Sequence, residues 1–385
     1  MSLTRRHLLA LAALGALGVR SSARAAPAGL AVDEAPRFVL VVLRGALDGL
    51  AALPPVGDGA WAGLRPSALR PSDGPRLDDT FALHPGLAPW RTRWAAGELL
   101  PICAVATPLR DRSHFSAQDC LEQGGAVVNA HRDGWLFRGL AAAGCLEQAA
   151  AVGRGLPLVL RGDQAVASVR PGDEDQTDGA LIEAVAALWA EDPLLGAAMA
   201  EAMGLRGIVP AAGGPASERG AAGIRRALAS CAGLLVAPGG PRVLSVELGG
   251  WDTHADQARR LDVLLPALAD GIEALARGIG GAWARTCVLC VTEFGRTAEA
   301  NGTGGTDHGT GAAAFLLGGA VAGGRVEGRW PGLRRNALLD GRDLAPTLDL
   351  REVFAGVLLD HLGLPSGALD VALPGVRPRP GLVRG

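Results

Sequence analysis

Hydrophobic positions along this chain fall into two alternating patterns. Six runs are continuously apolar and rich in β-branched or small residues: Arg37 to Leu43 (RFVLVVL), Leu99 to Thr107, Leu156 to Leu160, Arg242 to Leu248, Thr286 to Phe294 and Ala312 to Gly319. Such runs suit strands buried on both faces of a parallel sheet. Between them, Ala and Leu recur at three- and four-residue spacing over Leu87 to Ala96, Ser116 to Gln123, Gly134 to Ala143, Leu181 to Met203, Ala221 to Leu235, Ala255 to Arg277 and Leu350 to Leu362, which predicts helices. The alternation predicts an α/β fold, a mostly parallel sheet with helices on both faces. Val209 to Gly220 reads as a surface loop, and the tail from Leu373 is rich in Pro and Gly. Neither break separates two cores, so residues 26–385 are expected to form one domain.

The N-terminus departs from both patterns. Residues 1–25 carry Arg5, Arg6, Arg20 and Arg24 and no acid, with an apolar run from Leu8 to Val19 and then Ala23-Arg24-Ala25. This is signal-peptide anatomy, and the Arg5-Arg6 pair with its modest Ala- and Gly-rich run resembles a twin-arginine export signal. The run is too short to span the roughly 30 Å hydrocarbon core, so no permanent membrane anchor is expected. The expectation is export through the twin-arginine translocase to the periplasm or beyond.

Composition narrows the chemistry. Four of the 37 basic side chains lie in that leader, so 33 remain against 39 acidic ones and the mature chain carries −6. That balance gives no footprint for nucleic acid. The chain has no lysine and no tyrosine, which removes Schiff-base chemistry and leaves arginine as its fixed cation. Cys103, Cys287 and Cys290 sit in strand-like apolar runs and read as core residues; the CVLC spacing lies along a strand rather than at a helix N-terminus, which argues against a redox pair.

In open parallel sheets ligands bind beyond the carboxyl ends of the strands. Four predicted strands deliver polar residues there: Arg44 to Asp48; Arg110, Asp111, Arg112, Ser113 and His114; Asp252 and His254; and Arg296, Asn301, Asp307 and His308. Three of the six mature histidines thus stand beside carboxylates, a donor set that suits a divalent metal such as zinc, manganese or calcium. Asp48 reads equally as a ligand or as the cap of the next turn. Asp252 and His254 read as ligands or as helix caps. Arg112 to Gln118 opens a helix whose N-terminus favours an anion, with Ser113 or Ser116 as nucleophile or as plain N-cap. Glu293 ends a buried strand and reads as a further ligand or a base with a raised pKa, or equally as a salt-bridge partner of Arg296. His84 reads as a turn residue, and His131 and His361 as surface residues.

LRGALDGL, RSHFSAQDCLEQG with GWLFRGL, ELGGWDTH and TEFGRTAEANGTGGTDHG resemble, in order and spacing, the bacterial domain of unknown function 1501 family, across roughly Arg37 to Leu364. That resemblance implies an alkaline phosphatase-like and sulfatase-like fold and a twin-arginine export signal. It further implies that Asp48 matches a first-strand metal aspartate, that Asp252 and His254 stand for the middle ligands, that Asp307 and His308 are a late Asp-His pair, and that Ser113 lies nearest the nucleophile. The middle pair is closer-spaced than the superfamily's usual pattern, no histidine after His308 fills the final ligand position, and no cysteine has the sulfatase setting. The expected activity is metal-dependent hydrolysis of phosphate or sulfate esters, with Arg44, Arg112 or Arg296 neutralising a small anionic substrate and His114 and Glu293 beside it. The alternative is an exported binding protein that keeps the fold without turnover.

Overall fold

A computed structural model describes residues 34–71, 73–153, 155–170, 184, 186–189, 192 and 220–384. The expected leader, most of the helix expected over Leu181 to Met203 and most of the Val209 to Gly220 loop lie outside the described residues. No helix among the described residues is long and apolar enough to cross a membrane.

Eight strands form one sheet: β1 (Arg37–Arg44), β2 (Leu99–Ala106), β3 (Ala149–Val152), β4 (Ala167–Val169), β5 (Val243–Gly249), β6 (Thr286–Val291), β7 (Ala312–Leu317) and β8 (Leu348–Asp349), in the order β4-β3-β5-β1-β6-β7-β2-β8. All neighbours pair in parallel except β7, which runs antiparallel to both β6 and β2. The mostly parallel sheet expected from the apolar runs is therefore present, with one reversed strand. The reversal brings the chain entering β7 to the same edge at which β1, β5, β6 and β2 end.

The helices are α1 (Gly49–Ala52), α2 (Trp61–Leu64), α3 (Trp90–Ala95), α4 (His114–Gln123), α5 (Trp135–Ala142), α6 (Ala221–Val236), α7 (Gln257–Ile279), α8 (Leu350–Gly356) and α9 (Ser366–Ala372). Alternate residues of β1 bury into two cores: Val39, Val41 and Leu43 pack with α6, α7 and Trp90 of α3, while Phe38, Leu40 and Val42 pack with α5, α8 and α9. This two-sided burial is why the strands read as unbroken apolar runs instead of alternating ones.

Two expectations are corrected, and two strands are added. Leu156 to Leu160 is no strand; Leu158–Leu160 forms a single 3-10 turn after Pro157. Strands β3 and β4 escaped notice because AAAV and ASV are short and alanine-rich. His361 is half-buried rather than a surface residue, its Nε2 lying 2.8 Å from the Arg37 carbonyl. The cysteines behave as core residues: Cys287 faces one core and Cys290 the other, so CVLC cannot close into a pair.

Glu122 on α4 is buried, and its Oε2 accepts the Val159 amide at 3.1 Å. Burial, and then the Glu247 carboxylate, push its carboxyl up to about 7. A folded pKa above the unfolded value of about 4.3 means that the folded state binds the proton more tightly. Its contribution is complete below about pH 4 and lost as the pH rises through about 7. In urea unfolding, the wild-type chain should lose stability across that window relative to Glu122→Gln, whose amide keeps the Val159 bond; parallel profiles for the two proteins would contradict this assignment.

Candidate metal centre

The loops that leave β1, β5, β6 and β2, and the loop that enters β7, meet at one edge of the sheet. Gly45 follows β1 with φ +116°, and a Cβ there would lie 2.4 Å from the Asp252 amide nitrogen, so only glycine lets the β1 and β5 loops touch. Gly305 is similarly constrained, since a Cβ would lie 2.3 Å from the His254 carbonyl oxygen.

His114 opens α4, His254 lies in the loop between β5 and α7, and His308 lies just before β7. Each ring has its Nδ1 against an acceptor: His114 against Glu293 Oε1 at 2.7 Å, His254 against Asp307 Oδ1 at 3.2 Å and His308 against the Arg112 carbonyl at 2.8 Å. A carbonyl and an ionised carboxylate only accept, so Nδ1 carries a proton in all three rings, and in a neutral ring Nε2 then keeps its lone pair. Those Nε2 atoms converge on Asp252 Oδ1, at 3.7 Å from His114, 3.2 Å from His254 and 3.5 Å from His308. The Nε2 atoms of His254 and His308 face each other at 2.9 Å. His114 Nε2 is buried and has no hydrogen-bond partner.

Asp252 Oδ1 already accepts from Arg296, and the His254–His308 contact needs a proton on one Nε2; a bound cation would take that proton's place and draw the nitrogens together. The ligand atoms of His114, Asp252 and His308 all lie within 4.8 Å of one another. Acceptors on the outer nitrogens are the arrangement that holds ligating imidazoles in place. Two imidazoles and a carboxylate, with the His254 ring beside them, suit zinc first and manganese next; calcium, which takes oxygen ligands, fits poorly. The donor set thus fits a divalent metal.

The local electrostatics agree. Burial opposes ionisation of Asp252, but the Arg296 hydrogen bond and charge outweigh it and hold the carboxyl below its usual range. Glu293 corrects the expectation of a raised pKa: burial alone would raise it, yet hydrogen bonds from His114, its own backbone, Gly45 and Gln118 bring it below the ordinary range. Nor does Glu293 pair with Arg296. The Asn301 hydrogen bond keeps Asp307 low. The Glu293 hydrogen bond lifts His114, whereas burial lowers His308.

The other expected site residues stand around this cluster or away from it. Asp307 orients His254 instead of joining the four converging atoms. Asp48 belongs elsewhere: it caps α1 through the Leu50 and Ala51 amides, takes Arg65 Nη1 at 2.6 Å and Gln257 Nε2 at 2.7 Å, and is fully buried. With donors on both oxygens, it has no lone pair for a metal. Arg112 turns its guanidinium to Asp343 Oδ2 at 2.7 Å, and Arg44 pairs with Glu247 at 2.9 Å. Arg296 is buried and spends its donors on Gly45, Ala46, Trp251 and Thr306 carbonyls and on Asp252 Oδ1 at 2.5 Å. Ser113 holds the N-cap position of α4 without a side-chain bond, and neither its hydroxyl nor that of Ser116 bonds a cluster residue. Asp252 does not cap α7, whose N-cap position is Asp256.

Sequence reading missed Gln118, Gln257 and Arg65. Gln118 stands one turn after His114 on α4 and donates to Glu293 Oε1 at 3.1 Å. Gln257 accepts Thr253 Oγ1 at 2.9 Å and Thr306 Oγ1 at 2.6 Å while donating to Asp48, which ties the loops beneath the cluster together. The helical spacing from His114 was a usable signal for Gln118; nothing in the sequence marked Arg65.

Residues 164–370 match the family described as "Protein of unknown function (DUF1501)". The chain belongs to the DUF1501 family. No curated protein matches this DUF1501 chain. Among solved structures it is similar to the zinc complex of the C-terminal periplasmic domain of EcEptC from Escherichia coli, at 11% identity and TM-score 0.38, covering 74% of this chain and 73% of that one. It is similar to a putative sulfatase from Bacteroides thetaiotaomicron, at 9% identity and TM-score 0.42, covering 90% and 76%. A TAB5 alkaline phosphatase variant with Mg bound matches at 12% identity and TM-score 0.41, covering 86% and 99%. At these values no ligand or activity carries over to the DUF1501 chain, and the site rests on its own geometry.

Asp48→Asn breaks a buried ion pair and should lower stability to urea by roughly 3–5 kcal/mol, while divalent-ion content stays at the wild-type level. A variant of unchanged stability that has lost its ion would make Asp48 a ligand after all.

Proposed function

We propose that this DUF1501 protein is an exported metal-dependent hydrolase of phosphate or sulfate esters, with His114, Asp252, His254 and His308 as the metal ligands. The observation that carries the reading is the convergence of three Nε2 atoms on Asp252 Oδ1 with every Nδ1 held by an acceptor. A divalent ion bound there supplies a Lewis acid and lowers the pKa of water.

The chain's own groups supply the rest. Glu293, Asp307 and the Arg112 carbonyl keep the Nδ1 protons in place and so keep the Nε2 atoms turned inward. Arg296 keeps Asp252 ionised. His254 and Asp252 are nearly half exposed, which leaves the cluster open to a substrate. His114 is the first residue of α4, and Ser113 does not cap the helix, so the first-turn amides stay available to the anionic oxygens of an ester. Ser113 makes no side-chain cap bond, and water is the nucleophile in this reading. The N-terminal twin-arginine pattern supports delivery to the periplasm, with folding and metal loading before translocation.

A second reading has one observation in its favour. Arg44, Arg112 and Arg296, the cations expected to hold substrate charge, are all engaged by carboxylates. On that reading the protein binds its metal and a ligand without turnover.

Elemental analysis of the untagged mature protein separates these readings from an empty site. Stoichiometric zinc or manganese is expected, and the paired change His254→Ala and His308→Ala should abolish it without loss of fold by circular dichroism. Undiminished ion content in the double variant refutes the ligand assignment. With metal present, hydrolysis of p-nitrophenyl phosphate or sulfate that falls at least about a hundredfold in the double variant marks the enzyme. Metal without turnover on either ester leaves the binding protein.

A further inference from the structure

A cavity of about 230 Å³ lies between α7 and the segment after α2, away from the four converging ligands, with Arg70, His84, Asp73 and Asp262 among its lining. Two donors in it are unspent. Arg70 Nε is buried with no hydrogen-bond partner, and the guanidinium forms no ion pair among the described residues. His84 is only 5% exposed, and its Nδ1 accepts the Gly86 amide at 3.0 Å, which places the ring proton of the neutral imidazole on Nε2. The nearest acidic oxygen, Asp262 Oδ1, is 3.7 Å from that Nε2, beyond hydrogen-bond range. A buried donor without an acceptor costs about 1–3 kcal/mol, so the Arg70 Nε position favours an incoming oxyanion, with the His84 Nε2 donor beside it.

The remaining charge sets the ligand class. Asp262 is 68% exposed at its side chain and makes only the long 3.7 Å contact with His84 Nε2, and Asp73 is an exposed lining residue. Two carboxylates against one guanidinium disfavour a multiply charged anion such as phosphate, but match a ligand with a carboxylate at one end and an ammonium at the other. Leu69, Leu261 and Ala51 supply apolar wall. We propose that this cavity binds a small zwitterion, an α-amino acid with an apolar side chain, its carboxylate on Arg70 and His84 and its ammonium toward Asp262.

Titration calorimetry of the whole mature protein with L-leucine tests this. Saturable binding is expected, weakened at least about tenfold by Arg70→Gln and also by the surface change Asp262→Asn, which leaves the fold intact. Binding should persist in His254→Ala, because the cavity is separate from the metal ligands. Absence of saturable heat at millimolar leucine overturns the proposal. So does equal affinity for 4-methylpentanoate, which lacks the ammonium, binding of glucose in place of leucine, or full affinity in Arg70→Gln.

Discussion

Arg296 is one guanidinium shared by three loops, and the geometry of the candidate metal centre hangs on it. Its donors reach the carbonyls of Gly45 and Ala46 after β1, of Trp251 after β5 and of Thr306 before β7, and the carboxylate of Asp252. A buried charge of this kind is tolerable only when every donor is satisfied. The loops must therefore adopt the one mutual arrangement that surrounds the guanidinium with oxygen. That arrangement includes Ala46 at φ +62°, a conformation unfavourable for a residue with a Cβ, held because its carbonyl accepts from Arg296.

A second buried set, Arg65, Asp48 and Gln257, repeats the device a layer below. Arg65 binds the carbonyls of Thr297 and Ala298 as well as Asp48, and Gln257 hands the connection on to Thr253 and Thr306. Together the two sets fix the loops from below, so that the histidines above need only short contacts to hold their outer nitrogens. Rigidity of this sort lets ring nitrogens be aimed at one another, since a loop free to relax would turn them apart.

The ordering of roles follows from burial. Glu293 and Asp48 are shielded and serve as fixed acceptors for other side chains, whereas Asp252, His254 and His308 stand where solvent reaches. Chemistry with an outside molecule falls to the exposed group. The buried groups set its protonation and direction.

Much of this was legible in the sequence, and for identifiable reasons. Continuous apolar runs such as RFVLVVL report two-sided burial, which fixes a parallel, helix-covered sheet, and the strand-end rule then marks the loops of Asp252, His254 and His308. Short, alanine-rich β3 and β4 carry too little pattern to register, and LPLVL is apolar without being extended. The reversal of β7, the pairing of His114 with Glu293 and the capture of Asp48 by Arg65 depend on residues far apart in sequence, 179 positions in the case of His114 and Glu293. Local pattern determines which segments are strands and which residue types reach the edge of the sheet. Which carboxylate meets an imidazole and which meets a guanidinium is decided only when the loops pack, because that choice minimises unpaired buried charge over the whole edge at once.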